Sequence, residues 1–308
     1  MKLQRFTQNL CLQQIRELFT HLLQKSLKLL TAKNLIFLLL IIKKPTIITI
    51  TEKMLFTQST YIGVDPTAGE RPIVYAAIDH DLQLIALGGG SIEEVLAFIA
   101  GQHQAIVAIC SPSQPNQRLM ENEALRQQLS PPPRPGRWIN YRVAEYLLRQ
   151  HNIHIMPTPA SEGICPRWMR TGYSIYRRLR TLGYQPYPDE ETRFLYMEVY
   201  PQASYAVILE HNPLLKHTLE GRLQRQLLLY EREVKVPDPM VFFEEITRHR
   251  LLNGILPSEI LYSAAELDAL VAAYSAWLTQ TTPLQINLIG DPNEGQIVLP
   301  GGKLKNRY

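Results

Sequence analysis

Three acidic residues, far apart along the chain, stand where buried elements are expected to open to solvent. Asp65 ends an apolar run and is followed by a turn that contains Pro66 and Gly69, Glu198 lies inside a second apolar run, and Asp268 lies in the opening turns of a helical stretch. Divalent cations prefer oxygen ligands, and carboxylates supply both the oxygen atoms and the negative charge. If folding brings these acids to one end of a sheet, they form a catalytic, metal-binding set for Mg²⁺ or Mn²⁺.

Four basic residues are candidates for contact with a phosphate-bearing substrate. Arg222 and Arg225 are three positions apart on one face of a helix that is expected to open near Gly221, and Lys216 precedes it. Basic groups at a helix start oppose the helix dipole unless an anion compensates. The fourth is Arg170, in a helix where arginines alternate with aromatic residues, a combination that suits phosphate contact and base stacking. For that helix the alternative is an ordinary amphipathic helix with solvated arginines.

Hydrophobic periodicity predicts the elements that must position these residues. We expect strands over residues 61–65, 73–79, 82–88, 105–110, 152–156 and 195–201, and helices over residues 91–100, 141–150, 167–182, from 221 onward and 263–280. The second and third strands form a hairpin. The run 105–110 is wholly apolar, which indicates a central strand covered on both faces. Two helices open with capping boxes, Ser91 with Glu94 and Ser263 with Glu266.

The last predicted helix carries a narrow stripe of small residues. Asp268, Ala272 and Ala276 are four positions apart and therefore share one face, which lets the helix lie close against a sheet. Asp268, at the leading end of that stripe, is expected to point toward the strand ends.

Residues 111–137 are rich in Pro, Gln and Asn and include three consecutive prolines, so they predict a long loop. A loop of this length in a compact domain is either mobile or functional. If the strands are parallel, it leaves the sheet at the edge that holds Asp65. A lid or a substrate-gripping role is therefore one hypothesis for it.

The positive charge of the chain is concentrated in its first 53 residues. They hold nine Lys and Arg against two Glu, a net charge of +7, which leaves 23 Lys and Arg against 26 Asp and Glu, or −3, in the rest. Total charge is therefore no argument for nucleic-acid binding by the body of the protein. The three cysteines are odd in number and lack metal-type spacing, so we expect free thiols and a reducing, cytoplasmic location.

Residues 1–53 form a basic, Leu-rich extension that we expect to lie outside the working domain, residues 54–308. Their longest apolar run, residues 35–42, is too short to cross a bilayer, which takes about 20 residues. No small-residue cleavage site follows it, so a signal peptide fits poorly, whereas a transit peptide or a membrane-surface helix suits the composition. We favour the hypothesis that the extension is a start-codon artefact and that Met54 is the functional start.

The order of the predicted elements and the placement of the acids resemble the ribonuclease H-like fold, and more specifically the DUF429 family of predicted ribonuclease H-like nucleases. The resemblance covers most of residues 61–280 and is carried by residues 62–66, 142–146, 168–173, 198–201, 216, 221–225 and 267–274. It implies an α/β fold with a mixed sheet flanked by helices. It also implies metal-dependent hydrolysis of nucleic acid.

One position departs from that family pattern. Family members often end the central strand with an acid before a small residue and a proline, where this chain has Cys110 before Ser111 and Pro112. A neutral thiol is a poor Mg²⁺ ligand, so one metal position is expected to be weakened or lost. Cys110 is also a candidate for a buried structural cysteine, because no base partner for it is evident.

Three functional hypotheses follow from these residues. The first is a metal-dependent phosphodiesterase or nuclease in which Asp65, Glu198 and Asp268 hold one or two Mg²⁺ ions, about 3.5–4 Å apart if both bind. The second is a non-catalytic nucleic-acid or protein-binding module with a decayed metal site, marked by Cys110. The third is a nucleotide-binding, ATPase-like protein in which residues 65–69 face the nucleotide, although the chain is short for the paired domains of such proteins.

Overall fold

Eight strands lie in one mixed sheet in the computed structural model, which describes residues 59–68, 71–134 and 136–308. The predicted extension, residues 1–53, lies outside the described residues. The strands are β1 (Thr60–Asp65), β2 (Ile73–Ile78), β3 (Leu84–Gly90), β4 (Ala105–Ile109), β5 (Gln185–Pro186), β6 (Phe194–Val199), β7 (Ile286–Asp291) and β8 (Gly295–Pro300).

The strand order across the sheet is β3-β2-β1-β4-β6-β8-β7, and β5 pairs with β6 beside this path. The pairs β1–β2 and β2–β3 are antiparallel, as the predicted hairpin requires. The strands β1, β4, β6 and β8 are parallel to one another. Because parallel strands end on the same side, the carboxyl ends of β1 and β6, which carry Asp65 and Glu198, meet at one edge of the sheet.

Helices cover both faces of the sheet. They are α1 (Ile92–Ala100), α2 (Glu123–Gln128), α3 (Val143–Gln150), α4 (Arg167–Thr181), α5 (Pro201–Leu209), α6 (Leu219–Glu231), α7 (Val241–Glu244), α8 (Arg248–Leu252) and α9 (Ala264–Thr281). On one face α9 packs against alternate residues of β1 and β4, such as Tyr61 and Ile106. On the other face α1 and α4 pack against the intervening residues, such as Ile62 and Val107. This confirms the predicted mixed α/β fold with flanking helices.

The backbone of β1 approaches α9 very closely at Gly63. A Cβ atom on Gly63 would lie 1.9 Å from the carbonyl oxygen of Ala269 and 2.5 Å from the amide nitrogen of Ala273. Only a residue without a side chain permits this spacing. The residues of α9 at this contact are Ala269 and Ala273, which lie next to the predicted stripe of Asp268, Ala272 and Ala276, and the glycine opposite them supplies the other half of the contact.

The structure differs from the sequence-based prediction in several segments, and the helices α2, α5, α7 and α8 and the strand β5 were not predicted. Residues 152–156 form no strand, although Ile153 and Ile155 are buried at alternate positions, because they pack beside α3 without pairing to the sheet. The hairpin β7–β8 was not predicted, and it extends the sheet beyond β6. Within the described residues, no helix is both long and apolar enough to cross a membrane.

Candidate active site

Asp65 and Asp268 lie near enough at the end of β1 for their charges to interact, and Lys216 is bonded to Asp268. Lys216 Nζ lies 2.6 Å from Asp268 Oδ2, and only a small part of the Asp268 side chain is exposed. Asp65 Oδ1 accepts a hydrogen bond of 2.9 Å from the amide of Thr67, whose positive φ of 50° turns the chain immediately after the strand. The strand end and the first turns of α9 thus bring together two of the three predicted acids.

The surroundings of Asp65 shift the pKa of its carboxyl group upward. Its pKa is raised from 3.8 to about 6, mainly because burial disfavours the charged form and also because Asp268 is nearby and negative. The hydrogen bond from Thr67 and the charge of Lys216 oppose the rise. The midpoint of ionisation of Asp65 therefore lies at about pH 6, so at neutral pH the group is mostly ionised and can take up a cation.

Cys110 lies in the same cluster, as its place at the end of the central strand predicts. Its Sγ is 3.5 Å from the carbonyl oxygen of Asp268. Burial and the negative charges of Asp65 and Asp268 raise the pKa of the Cys110 thiol well above its ordinary value. The thiol therefore stays protonated, which makes it a poor metal ligand and a poor nucleophile.

Glu198 also lies at this edge of the sheet, but its carboxylate is bonded to the protein. Arg142 donates to both oxygen atoms of Glu198, at 3.0 Å from Nη1 to Oε2 and through Nη2 to Oε1. The amide of Ser113 donates to Oε2 at 2.9 Å. The same Arg142 donates through Nε to Glu145 Oε1 at 3.0 Å. All three charged side chains are almost fully buried, so Glu198 belongs to an internal ion-pair network.

The network is completed by Glu294, in the turn between β7 and β8, which sequence reasoning missed. Glu294 is fully buried and accepts hydrogen bonds from the amides of Val143 at 2.8 Å and Gln117 at 3.1 Å. It thereby binds the first amide of α3 and fixes the start of the helix beside Arg142. The turn residues from Asp291 to Gly295 are the sequence signal that could have revealed this hairpin.

The predicted substrate-binding residues occupy different surroundings. Lys216 lines the cavity at the two aspartates. Arg225 is 1% exposed, and its guanidinium donates to the carbonyl oxygens of Leu214 at 2.7 Å and Gly221 at 3.0 Å, so it fixes the segment that carries Lys216. Arg222 is half-buried and outside the cavity wall.

The helix that carries Arg222 and Arg225 begins earlier than the sequence predicted. It starts at Leu219, with Thr218 as its cap and Glu220 in its first turn. An acid therefore already lies at the start of this helix, and the helix dipole no longer indicates that Arg222 and Arg225 need a bound phosphate to compensate them. Arg170 is exposed near the start of α4 and lines a neighbouring depression instead.

A cavity of about 1030 Å³ opens over these groups. Its polar wall contains Asp65, Glu198, Asp268 and Lys216, and its apolar wall contains Trp168, Met169, Met156, Leu214 and Leu215. Of the long loop 111–137, only Ser111 and Pro112 are among the described residues that line it. Farther along the loop, Met120 packs with Val143 and Tyr146 of α3.

Two carboxylates, rather than the predicted three, are available as oxygen donors for a hard cation in the part of the chain that the structure describes. Among the residues that the structure describes, no group of three or more His, Cys, Asp and Glu side chains is arranged to hold a metal ion. Asp65 and Asp268 remain as the pair that could take one, because Mg²⁺ is commonly bound by one or two carboxylates together with water.

The molecule is thus a mixed α/β protein with a carboxylate pair in a cavity at the carboxyl edge of its sheet. The family model of DUF429, described as a protein of unknown function, matches residues 63–285. Since the match covers more than half of the chain, the protein belongs to the DUF429 family. A search of curated proteins and a search of solved structures found no match.

Proposed function

We propose that this protein is a metal-dependent hydrolase of phosphodiester bonds in nucleic acid, acting at Asp65 and Asp268. The observation that carries the proposal is the buried aspartate pair, in which the pKa of Asp65 is raised to about 6. Two carboxylates that are held close enough to repel one another form a site that favours a divalent cation. When bound there, Mg²⁺ or Mn²⁺ would supply charge stabilisation at phosphate and a more acidic water.

The chain's own residues have defined parts in this proposal. Asp65 and Asp268 supply the carboxylate oxygens that would hold the cation, and with a pKa of about 6 Asp65 is mostly ionised at pH 7, as a ligand must be. Lys216 is about two-fifths exposed at its side chain and reaches the cavity, so its ammonium group can donate to a phosphate oxygen. Arg225 is a positioning residue, because it holds the carbonyl of Leu214 and thereby the segment leading to Lys216. Glu198 keeps Arg142 neutralised rather than serving as a ligand.

The decisive experiment compares wild-type protein with Asp65→Asn on labelled single-stranded and duplex DNA and RNA, with Mg²⁺, Mn²⁺ or EDTA. We expect cleavage by the wild type that EDTA abolishes, and a loss of at least about 100-fold in Asp65→Asn, as is typical when a group essential to the transition state is removed. Asparagine keeps an oxygen that can accept from Thr67, so the variant should remain folded. Asp81→Asn, in the exposed β2–β3 turn, is the matched control and should cleave normally. Full activity in folded Asp65→Asn refutes the site.

A second candidate is a binding module without catalysis, and two observations favour it. Cys110 stands where related chains are expected to carry an acid, and the oxygens of Glu198 are engaged by Arg142 and Ser113. For this candidate, we expect nucleic-acid binding that is unaffected by EDTA, with no cleavage. Cys110→Asp then adds a third carboxylate to the pair. A gain of metal binding in that variant supports a decayed centre, whereas cleavage by the wild type excludes the module.

A cytoplasmic location is part of the same proposal. Both cysteines in the described residues, Cys110 and Cys165, are free thiols, as expected in a reducing compartment.

A further inference from the structure

A second depression, of about 960 Å³, adjoins the cavity of the aspartate pair. The two concavities share Thr67, Arg71 and Pro72 in their walls, so the turn that follows β1 forms the ridge between them. On the far side of this ridge the wall contains Arg167 and Arg170 from the start of α4. A polymer that lies in the first cavity can therefore continue directly over Thr67 into the second.

Among the described residues of its wall, the second depression carries an excess of positive charge. Arg71, Arg167 and Arg170 all line it, and among the described residues none of the three has a carboxylate within 4.0 Å. Glu93, the acid in the described part of the wall, is already paired with Arg178 at 3.0 Å. Arg177, on the same helix but outside this wall, is neutralised by Glu162 at 3.0 Å. The three arginines of this wall are therefore not paired with any carboxylate among the described residues.

The start of α4 adds to this preference for an anion. Arg167 and Arg170 are among the first four residues of a 15-residue helix that has no acid in its first turn and no side chain capping it. Positive side chains at a helix start oppose the positive end of the helix dipole, so the arrangement is unfavourable unless an anion compensates.

Close packing places this helix beside the end of β1. A Cβ atom on Gly172 would lie 1.9 Å from Ser111 Oγ and 3.8 Å from Pro66 Cγ, so α4 approaches the strand ends as closely as a glycine allows. Arg170 lies two residues before this contact. The contact therefore seats the start of the helix near the turn that carries Arg71.

We propose that the basic depression, defined by Arg71, Arg167 and Arg170, binds phosphate groups of the nucleic-acid strand whose scissile bond lies at Asp65 and Asp268. That the bound polymer is a nucleic acid rests on the proposed function. Guanidinium groups suit this role because their planar donors match phosphate oxygens in pairs. The substrate then extends by more than one nucleotide from the bond that is cut, on the side of α4.

The test uses fluorescence anisotropy to measure the binding of a fluorescein-labelled 12-nucleotide single strand to the full chain. The measurement is made in EDTA and is repeated over a range of salt concentrations. Removal of one phosphate-binding side chain lowers the slope of log K against log salt by about 0.7 for a single strand. We expect the variant Arg71→Gln, Arg167→Gln, Arg170→Gln to bind at least about tenfold more weakly at low salt, with a slope that is smaller by about 2. Arg177→Gln is the control on the same helix and should match the wild type.

Two results overturn the basic depression: wild-type affinity and slope in the triple variant, or no binding by the wild type at low salt. All three arginines are exposed, so circular dichroism should report unchanged folding. The readout is independent of cleavage. A reduced slope together with absent cleavage refutes the hydrolase alone, whereas metal-dependent cleavage that requires Asp65, with an unchanged slope, refutes the basic depression alone.

Discussion

Lys216 Nζ lies 2.6 Å from Asp268 Oδ2, so the chain places its own cation beside the two aspartates. Burial lowers the pKa of Lys216, but the charge and hydrogen bond of Asp268 raise it more, and the net shift is upward. The ammonium group is therefore charged at neutral pH and also lowers the pKa of Asp65. A metal ion that binds the same carboxylates must share them with Lys216.

Replacing Lys216 should change metal binding and cleavage in opposite directions. We expect Lys216→Met to bind Mn²⁺ roughly tenfold more tightly at pH 8, because a unit charge a few Å away opposes a cation by about 1 kcal/mol or more at a partly exposed site. Cleavage should fall at the same time, since the donor to phosphate is removed. Calorimetric titration measures the first effect and a cleavage assay the second.

The control for this prediction is Lys235→Met, a lysine on the surface outside the cavity wall. Its Mn²⁺ affinity should equal that of the wild type. Weaker metal binding by Lys216→Met would contradict the proposal, because it would indicate that the lysine supports the cation site.

The raised pKa of Asp65 predicts a stability that falls with increasing pH. Its pKa is 3.8 in the unfolded chain and about 6 in the folded protein, so the native state holds more protons between these values. The contribution of this group is greatest below pH 3.8, is lost as the pH rises through 6, and amounts to about 3 kcal/mol. We therefore expect Asp65→Asn to be more stable than the wild type at pH 7 by up to about 3 kcal/mol.

Urea unfolding of both proteins at pH 4, 5, 6 and 7 tests this expectation. The difference in the free energy of unfolding should widen over that range and level off above pH 6. Asp81→Asn should show no such trend, because Asp81 is exposed. A variant that is less stable than the wild type at pH 7 would refute the burial of an uncompensated charge at Asp65.

Glu198→Gln distinguishes a structural role from a metal-binding one. The substitution leaves the guanidinium of Arg142 buried with only part of its counter-charge, and breaking a buried ion pair in this way costs about 3 kcal/mol or more. The loss should appear in urea unfolding without metal and should persist in excess Mn²⁺. Glu162→Gln, which breaks the exposed pair with Arg177, should cost less than about 1 kcal/mol. Wild-type stability combined with weakened Mn²⁺ binding would instead identify Glu198 as a ligand.

The sequence predicted the parts of the site that depend on local patterns. The apolar run ending in Asp65 and the capping box before Asp268 are both present in the structure. The partner of Glu198 could not be predicted in this way, because Arg142 lies 56 positions away and no periodicity marks a buried ion pair. The burial of Arg225 was missed because arginines are usually exposed.

The contact of Gly63 with α9 also could not be predicted from a local sequence pattern. Glycine inside a strand signals that another backbone approaches closely, but the sequence does not say which one. Only the folded chain identifies Ala269 and Ala273 as its neighbours.

Gly63→Ala should therefore damage both the fold and the aspartate pair. The new Cβ atom would lie 1.9 Å from the carbonyl oxygen of Ala269, and a backbone atom in the middle of a packed helix cannot yield cheaply. We expect a loss of about 3 kcal/mol or more in the free energy of unfolding, at the upper end of overpacking effects. Because Gly63 lies two residues before Asp65 and Ala269 directly follows Asp268, separating β1 from α9 also separates the two carboxylates. Mn²⁺ affinity should then fall in the protein that remains folded at low temperature.

Gly302→Ala, where an added Cβ meets no atom within 4 Å, should change neither the free energy of unfolding nor the Mn²⁺ affinity. A stable Gly63→Ala protein with wild-type Mn²⁺ affinity would mean that the strand–helix spacing does not set the geometry of the pair.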